Sequence, residues 1–210
     1  LNYMALVKYN NNSLSSVTSA AGFPAGAMTL IKTITADSTS TVSFINGSSD
    51  VVFDSTYPIY FIKIINAHVD TDDRHLTFNF TSDGTNFNVT KTTTNFRAVH
   101  QENGSNGAVA YRTNADLAQS TGEQALTESL LGGSSNADGS SFAELILFNP
   151  SDTTFVKHFL TRSAGMMAGQ GAESVFVGGY CNTTSAITGI RFSASSSATI
   201  DFTSGIDSTY

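Results

Sequence analysis

Apolar and polar residues alternate with a period of two along most of this chain, the pattern of strands with one buried and one wet face. Residues 29–36 (TLIKTITA) set Leu30, Lys32 and Ile34 against Thr29, Ile31, Thr33 and Thr35 and are rich in β-branched side chains, which predicts a strand. Residues 41–45 carry Val42 and Phe44 on one face and Ser43 on the other, and Asn46-Gly47 follows as a hairpin signal. Residues 51–54 read as a short run. Residues 58–66 (PIYFIKIIN) are long and mostly apolar, which predicts a central strand buried on both faces. Residues 76–81 (LTFNFT) alternate cleanly, Asp83-Gly84 marks a turn, and residues 86–91 resume, so these runs predict a hairpin. Later strands are expected at 143–148, 154–160, 175–181, 187–192 and 198–202, with 165–171 (GMMAGQG) as a flexible loop between two of them.

Two stretches break the alternation. Residues 8–27 are small and polar with turn-forming Asn, Gly and Pro, and 1–27 read as an N-terminal arm or linker ahead of a β-sandwich domain over 28–210. An insertion at about 103–141 holds the one helix-favouring stretch. Thr121 stands as an N-cap before Gly122-Glu123-Gln124 and Gly132-Gly133 as a stop, which predicts one short helix over 123–131. About ten short strands with 15 Phe to bury call for two antiparallel sheets packed face to face. The expected fold is all-β, an antiparallel β-sandwich of jelly-roll type with one short helix in a central insertion. No repeat of propeller or solenoid length is present, which favours a compact head over a repeated fibre shaft.

Composition narrows the job. The 210 residues include 28 Ser, 27 Thr and 16 Asn, about a third of the chain, while charged residues make up only 13%. That surface suits an extracellular particle better than a cytosolic helical enzyme. A net charge of −7 with ten Lys plus Arg argues against nucleic acid as a partner. No apolar run has the length of a membrane span. Leu1 to Leu14 lacks the basic start and apolar stretch of a secretory signal, so delivery by assembly and lysis is expected. A lone cysteine, Cys181, in an apolar run (VFVGGYC) reads as a buried, inert thiol and leaves no intrachain disulfide to form.

The search for chemistry returns weak candidates. His68, Asp70, Asp72, Asp73, Arg74 and His75 (HVDTDDRH) form the densest polar cluster, and Asp70, Asp72 and Asp73 are its possible metal ligands. The spacing is not that of an EF-hand, so a hairpin tip whose carboxylates satisfy turn amides is the preferred reading, with no metal and no cofactor expected. No Gly-x-Ser-x-Gly elbow is present. Glu102, Asp116, Glu123, Glu128 and Glu144 are available carboxylates, but spacing singles out no glycosidase pair, and there is no Trp to stack on sugar. No catalytic residue is assigned, and the chain is read as a non-enzyme.

Several segments carry a resemblance. Thr161-Arg162-Ser163-Ala164-Gly165, Gly178-Gly179-Tyr180 and Ala186-Ile187-Thr188-Gly189-Ile190-Arg191-Phe192 resemble β-rich virion proteins of marine tailed bacteriophages. Leu30-Ile31-Lys32-Thr33-Ile34-Thr35-Ala36 and Phe61-Ile62-Lys63-Ile64-Ile65-Asn66 are similar to the same group, so the likeness spans roughly 28–205. The group's closing Ile-Tyr-Gly-Ile-like strand has no counterpart before Tyr210. The resemblance implies a structural protein of the head-decoration or tail-fibre type, located in the virion. Expected partners are further copies of the chain, as a trimer or a lattice, together with other virion proteins. Leu6, Val7, Tyr9 and Leu14 would form an assembly arm that adds a strand to a neighbour's open edge. The alternative is a receptor- or glycan-binding tail-fibre module that meets a host surface glycan through Tyr111, Arg112, Tyr180 and Asn182.

Overall fold

The structure is a computed structural model that describes residues 29–133 and 137–207. Its strands are β1 (Thr41–Ile45), β2 (Ile59–Val69), β3 (Leu76–Thr81), β4 (Lys91–Gln101), β5 (Ala108–Tyr111), β6 (Gln124–Ala125), β7 (Ser141–Phe148), β8 (His158–Met167), β9 (Gly171–Cys181), β10 (Gly189–Ala194) and β11 (Ile200–Asp207). They pair antiparallel in two sheets, a four-stranded one ordered β1-β10-β3-β6 and a seven-stranded one ordered β11-β2-β7-β8-β9-β4-β5. Along the chain the strands cross repeatedly between sheets: β1 and β3 lie in the small sheet, β2, β4 and β5 in the large, β6 in the small, β7 to β9 in the large and β10 in the small. This is jelly-roll connectivity, with the three-stranded meander β7-β8-β9 standing between β2 and β4 where a minimal jelly roll has one strand. An odd number of strands in that position keeps every pairing antiparallel.

The core lies between the sheets and follows the alternation that the sequence sets. Tyr60, Ile62 and Ile64 of β2 and Ala143, Leu145 and Leu147 of β7 point inward and are buried. Facing them, Phe78 and Phe80 of β3 meet Phe159 of β8 in a cluster of rings with centroids 5.3–5.5 Å apart. Tilted and edge-on contacts of this kind place positive ring edges on negative faces. Every residue of β3 is buried, since β10 and β6 flank it and the following loops cover its second face.

Several expectations need correction. Residues 29–36 form no strand: Ile31 and Ile34 pack on the core and the segment makes only isolated bridge contact. Residues 51–54 are also outside any strand, although Val51 and Phe53 are buried. Asn46-Gly47 makes the expected turn, with Gly47 at φ 77°, yet β1 pairs with β10 and not with the run that follows. The turn at Asp83-Gly84 likewise joins no hairpin: the returning run makes one bond, from the Val89 N–H to the Phe80 carbonyl, while β6 takes that edge at Thr77 and Phe78, and the chain crosses to the large sheet to start β4. β2 buries one face only; the other is half-exposed. The run expected at 154–160 starts its strand only at His158, because Asp152 folds the preceding residues into a turn by accepting the Thr154 and Phe155 amides. The expected loop at 165–171 is mostly ladder, with β8 running to Met167 and β9 beginning at Gly171.

The helix over 123–131 does not form. Its backbone bonds reach other elements: Leu126 N–H donates to the Leu76 carbonyl, Leu130 N–H to Arg74 and Leu131 N–H to Met166. Leu130 thereby bridges the segment before β3 to the end of β8 and closes one side of the sandwich. Cross-sheet partners outcompete i→i−4 bonds because nearly every residue from Gln124 to Leu131 is buried, which a short helix with one apolar stripe cannot achieve.

Candidate functional site

The inward row of β4 is polar. Lys91, Thr93 and Asn95 are buried there and Arg97 follows in phase; the insertion partners Thr93, Arg97 and the Asn95 Nδ2, while Asn95 Oδ1 is buried without a hydrogen-bond partner. Lys91 Nζ donates to Asn79 Oδ1 at 2.5 Å and to the Val89 carbonyl at 2.9 Å, while burial lowers its ammonium to about 8. Thr93 Oγ1 donates to Gln124 Oε1 and accepts the Leu117 amide. Gln124 Nε2 donates in turn to the Ala115 carbonyl at 2.9 Å.

Next along the row, Glu128 sits between two guanidinium groups. Arg112 Nε donates to its Oε2 at 2.7 Å, and an Arg97 nitrogen lies 3.2 Å from the same oxygen. Glu173 on β9 accepts the Glu128 amide on Oε1 at 3.0 Å, and its Oε2 lies 3.8 Å from Arg97. Burial pushes the Glu173 carboxyl above its usual range, outweighing those amide bonds and Arg97. Glu128 Oε1 and Glu173 Oε2 are buried with no hydrogen-bond partner. Glu128, Arg97 and Arg112 line a polar cleft of about 680 Å³, together with Asp116, Glu123 and His75. Burial raises Glu123, but the Thr77 and Ser193 hydroxyls and Arg191 hold it below the usual carboxylate range.

Of the five carboxylates considered for glycoside chemistry, the fold gathers Asp116, Glu123 and Glu128 into this cleft. Glu144 lies on the outer face of the large sheet, ion-paired to Arg162 at 2.8 Å, and Glu102 follows the end of β4 in the turn toward β5. Arg97 and Glu173 escaped the sequence reading. Glu173 shares its strand phase with Val175 and Val177, so an acid on the apolar face was the signal.

The Asp cluster disperses. Asp70 accepts from the Thr71 and Thr199 hydroxyls, Asp72 from the Gly132 amide and Asp73 from the Ser129 hydroxyl. His68 Nδ1 lies 2.7 Å from the Gly139 carbonyl and His75 Nδ1 3.2 Å from that of Thr127. Among the described residues no three His, Cys, Asp or Glu side chains group as a metal site. Tyr111 and Arg112 stand at one edge of the large sheet, whereas Tyr180 and Asn182 lie at the other end of β9, so the four glycan candidates do not converge. Cys181 is buried and burial pushes its thiol up to about 12. Leu6, Val7, Tyr9 and Leu14 lie outside the described residues.

Around β5, β4 and β9 the outer face of the large sheet reverses the usual rule. On the outward phase of β5, β4 and β9 stand Val109 and Tyr111, then Phe96 and Ala98, then Ser174, Phe176 and Gly178, with no Asp, Glu, Lys or Arg in that phase. Phe96 stacks on Phe176 with centroids 5.0 Å apart and planes 9° from parallel, although 43% and 39% of their surfaces are exposed. With Leu160, Ile146 and the Glu144–Arg162 ion pair they line a shallow groove of about 550 Å³. Gly178 forms its floor, and a Cβ there would meet nothing nearer than 3.5 Å. The neighbouring Gly179 faces inward, where a Cβ would lie 2.7 Å from Phe159 and Thr93, so the fold requires one glycine of the pair and leaves the other free.

Two features thus stand out on a two-layer jelly-roll sandwich, a polar cleft at one edge and an apolar outer patch beside it. No family model, no curated protein and no solved structure matches the chain.

Proposed function

We propose that the chain is a non-enzymatic bacteriophage virion structural protein, an oligomerising β-sandwich subunit that decorates the capsid or forms part of an appendage. The observation that supports the reading is the outward apolar face of β5, β4 and β9, where Phe96 and Phe176 stack beside Leu160 of β8 (51% exposed), bordered on one side by the Arg162–Glu144 ion pair. A contiguous apolar patch on a sheet marks a protein contact, and a chain this poor in charge gains little from leaving it wet. Copies of the same chain and other virion proteins are the partners. Quantitative mass spectrometry of purified particles tests this. Many stoichiometric copies per virion support it; absence from the particle, or a monomer at every concentration in solution, sinks it.

A second reading, binding of a host surface glycan, is favoured by the cleft. Arg97 and Arg112 beside Glu128 and Asp116 offer donors and acceptors to vicinal hydroxyls. Few copies per particle and retention on immobilised host glycan, lost in Arg112→Ala, would favour it over the first.

A further inference from the structure

We infer that β5 is a self-pairing edge: two copies join their large sheets through antiparallel β5–β5 contact about a two-fold axis at Ala110. This rests on the oligomeric reading and specifies its contact.

The register of β4 against β5 decides which main-chain groups are open. Phe96 opposes Tyr111, Arg97 opposes Ala110 and Val99 opposes Ala108. Arg112 N–H donates to the Asn95 carbonyl at 2.9 Å, so the hydrogen-bonded partners on β5 are the even-numbered residues. The same phase of β4 continues beyond β5, where Lys91 exchanges bonds with Ser120 and Thr93 N–H donates to Leu117. The N–H and C=O groups of Val109 and Tyr111 therefore turn to the open side of the sheet.

The strand is only four residues long, but its side chains give that edge no further protection. All four β5 residues are exposed, Val109 by 77% and Tyr111 by 53%, and none is charged or proline. Such an edge is a template for another strand. A second copy fits it in one register. With Ala110 opposite its own counterpart, Val109 of each copy faces Tyr111 of the other and the two exchange both main-chain bonds, four in all. The Ala110 pair then falls at a non-hydrogen-bonded position, where Cα atoms come within roughly 4.5 Å and a small side chain is required. Val against Tyr is a favourable cross-strand pair. Pairing also joins the apolar outer faces, since Tyr111 and Phe96 lie in the same phase. A four-residue edge buries far less than the ~800 Å² per partner of a stable complex. The contact is therefore weak for one pair and strong when many copies share a surface.

The test uses the full chain. Ala110→Cys is expected to form a disulfide-linked dimer under mild oxidation, because the Cα spacing suits the bond, whereas Ala108→Cys, four residues off its own counterpart, does not. The native thiol at Cys181 is buried and silent. Val109→Pro removes an outward donor without touching the β4 ladder and is expected to weaken association at least tenfold in sedimentation. Oligomers that form without Ala110→Cys cross-linking, or that Val109→Pro leaves unchanged, overturn the β5 pairing and leave the oligomeric reading standing. So does association that is lost when residues 1–28 are deleted while Ala110→Cys stays uncrosslinked, since the arm is then the occupant. A chain monomeric up to millimolar concentration overturns both.

Discussion

The two sides of the large sheet are built by opposite rules. Around β2 and β7 the inward phase is Tyr60, Ile62, Ile64, Ala143, Leu145 and Leu147, while Lys63 and Glu144 face out. Around β4 the inward phase is Lys91, Thr93, Asn95 and Arg97, while Phe96 and its stacked partner Phe176 face out. The rows between them grade from one regime to the other: Ile62, Leu145, Thr161, Val177 and Asn95 succeed one another across the sheet. The first side is held by burial of apolar area and the second by hydrogen bonds and ion pairs to the insertion. The polar side frees its apolar residues for the outer face. Burial and exposure of apolar side chains are thus assigned to different residues of one sheet.

The largest effect that separates the two regimes is expected from Phe159→Ala. Its ring fills the space between Phe78 and Phe80, and no neighbouring backbone can close a gap of that size. A loss of about 3–5 kcal/mol is expected in urea unfolding. A loss under about 1 kcal/mol would show that the cluster is loosely packed. On the polar side, Glu128→Ala leaves Arg97 and Arg112 facing each other without their shared anion. Both are partly exposed, so the expected cost is about 2–3 kcal/mol, below the ~3–5 kcal/mol for breaking a fully buried pair. Glu128→Gln keeps a hydrogen-bond acceptor and should lose about half as much. Equal losses for the two variants would mean that charge is irrelevant there.

Titration sharpens the comparison further, because the polar side buries ionisable groups. Burial holds the Lys91 ammonium at about 8, against 10.5 in the unfolded chain. Above pH 8 the unfolded chain binds more protons at this group, so stability rises with pH. Cys181 acts in the opposite sense. Its unfolded thiol ionises above 9 while the buried one waits until about 12, so stability falls from pH 9 upward. The expected profile climbs by about 1 kcal/mol between pH 8 and 9 and then flattens. In Cys181→Ala the climb continues toward pH 10, where ionisation of Tyr60 in the unfolded chain ends it. A wild-type profile that falls from pH 8 onward would mean that Lys91 is solvated.

Much of the fold is legible in period-two alternation. The strands 41–45 and 76–81 begin and end in the structure where the pattern sets them, because in both one face is apolar throughout. What escapes the pattern is pairing. Asn46-Gly47 and Asp83-Gly84 bend the chain as their chemistry demands, but a turn does not reveal whether the next strand returns beside its predecessor or crosses to the other sheet. β4 itself (KTTTNFRAVHQ) is invisible as a strand because its inward residues are polar and its outward ones apolar, the reverse of the expected assignment. The cleft is half legible: Asp116, Glu123 and Glu128 are recognisable carboxylates, but only the β9 register brings Glu173 to them, more than forty residues away in the chain.

The smallest expected effect on stability is also the sharpest test of the division of labour. Phe96→Ser removes a ring that stacks on Phe176 at the surface and touches the core through its backbone alone. Loss of one cross-strand aromatic pair should cost the isolated domain under about 1 kcal/mol. If the outer face is a contact surface, the same change should sharply reduce incorporation into particles, measured as copies per virion against wild type. The paired control is Gly178→Ala, whose Cβ enters open groove and should leave stability within about 0.5 kcal/mol. Should Phe96→Ser unfold the domain outright, the ring belongs to the fold and the separation between the two sides fails. Should it leave both stability and incorporation unchanged, the apolar face has no partner, and its exposure must have another cause.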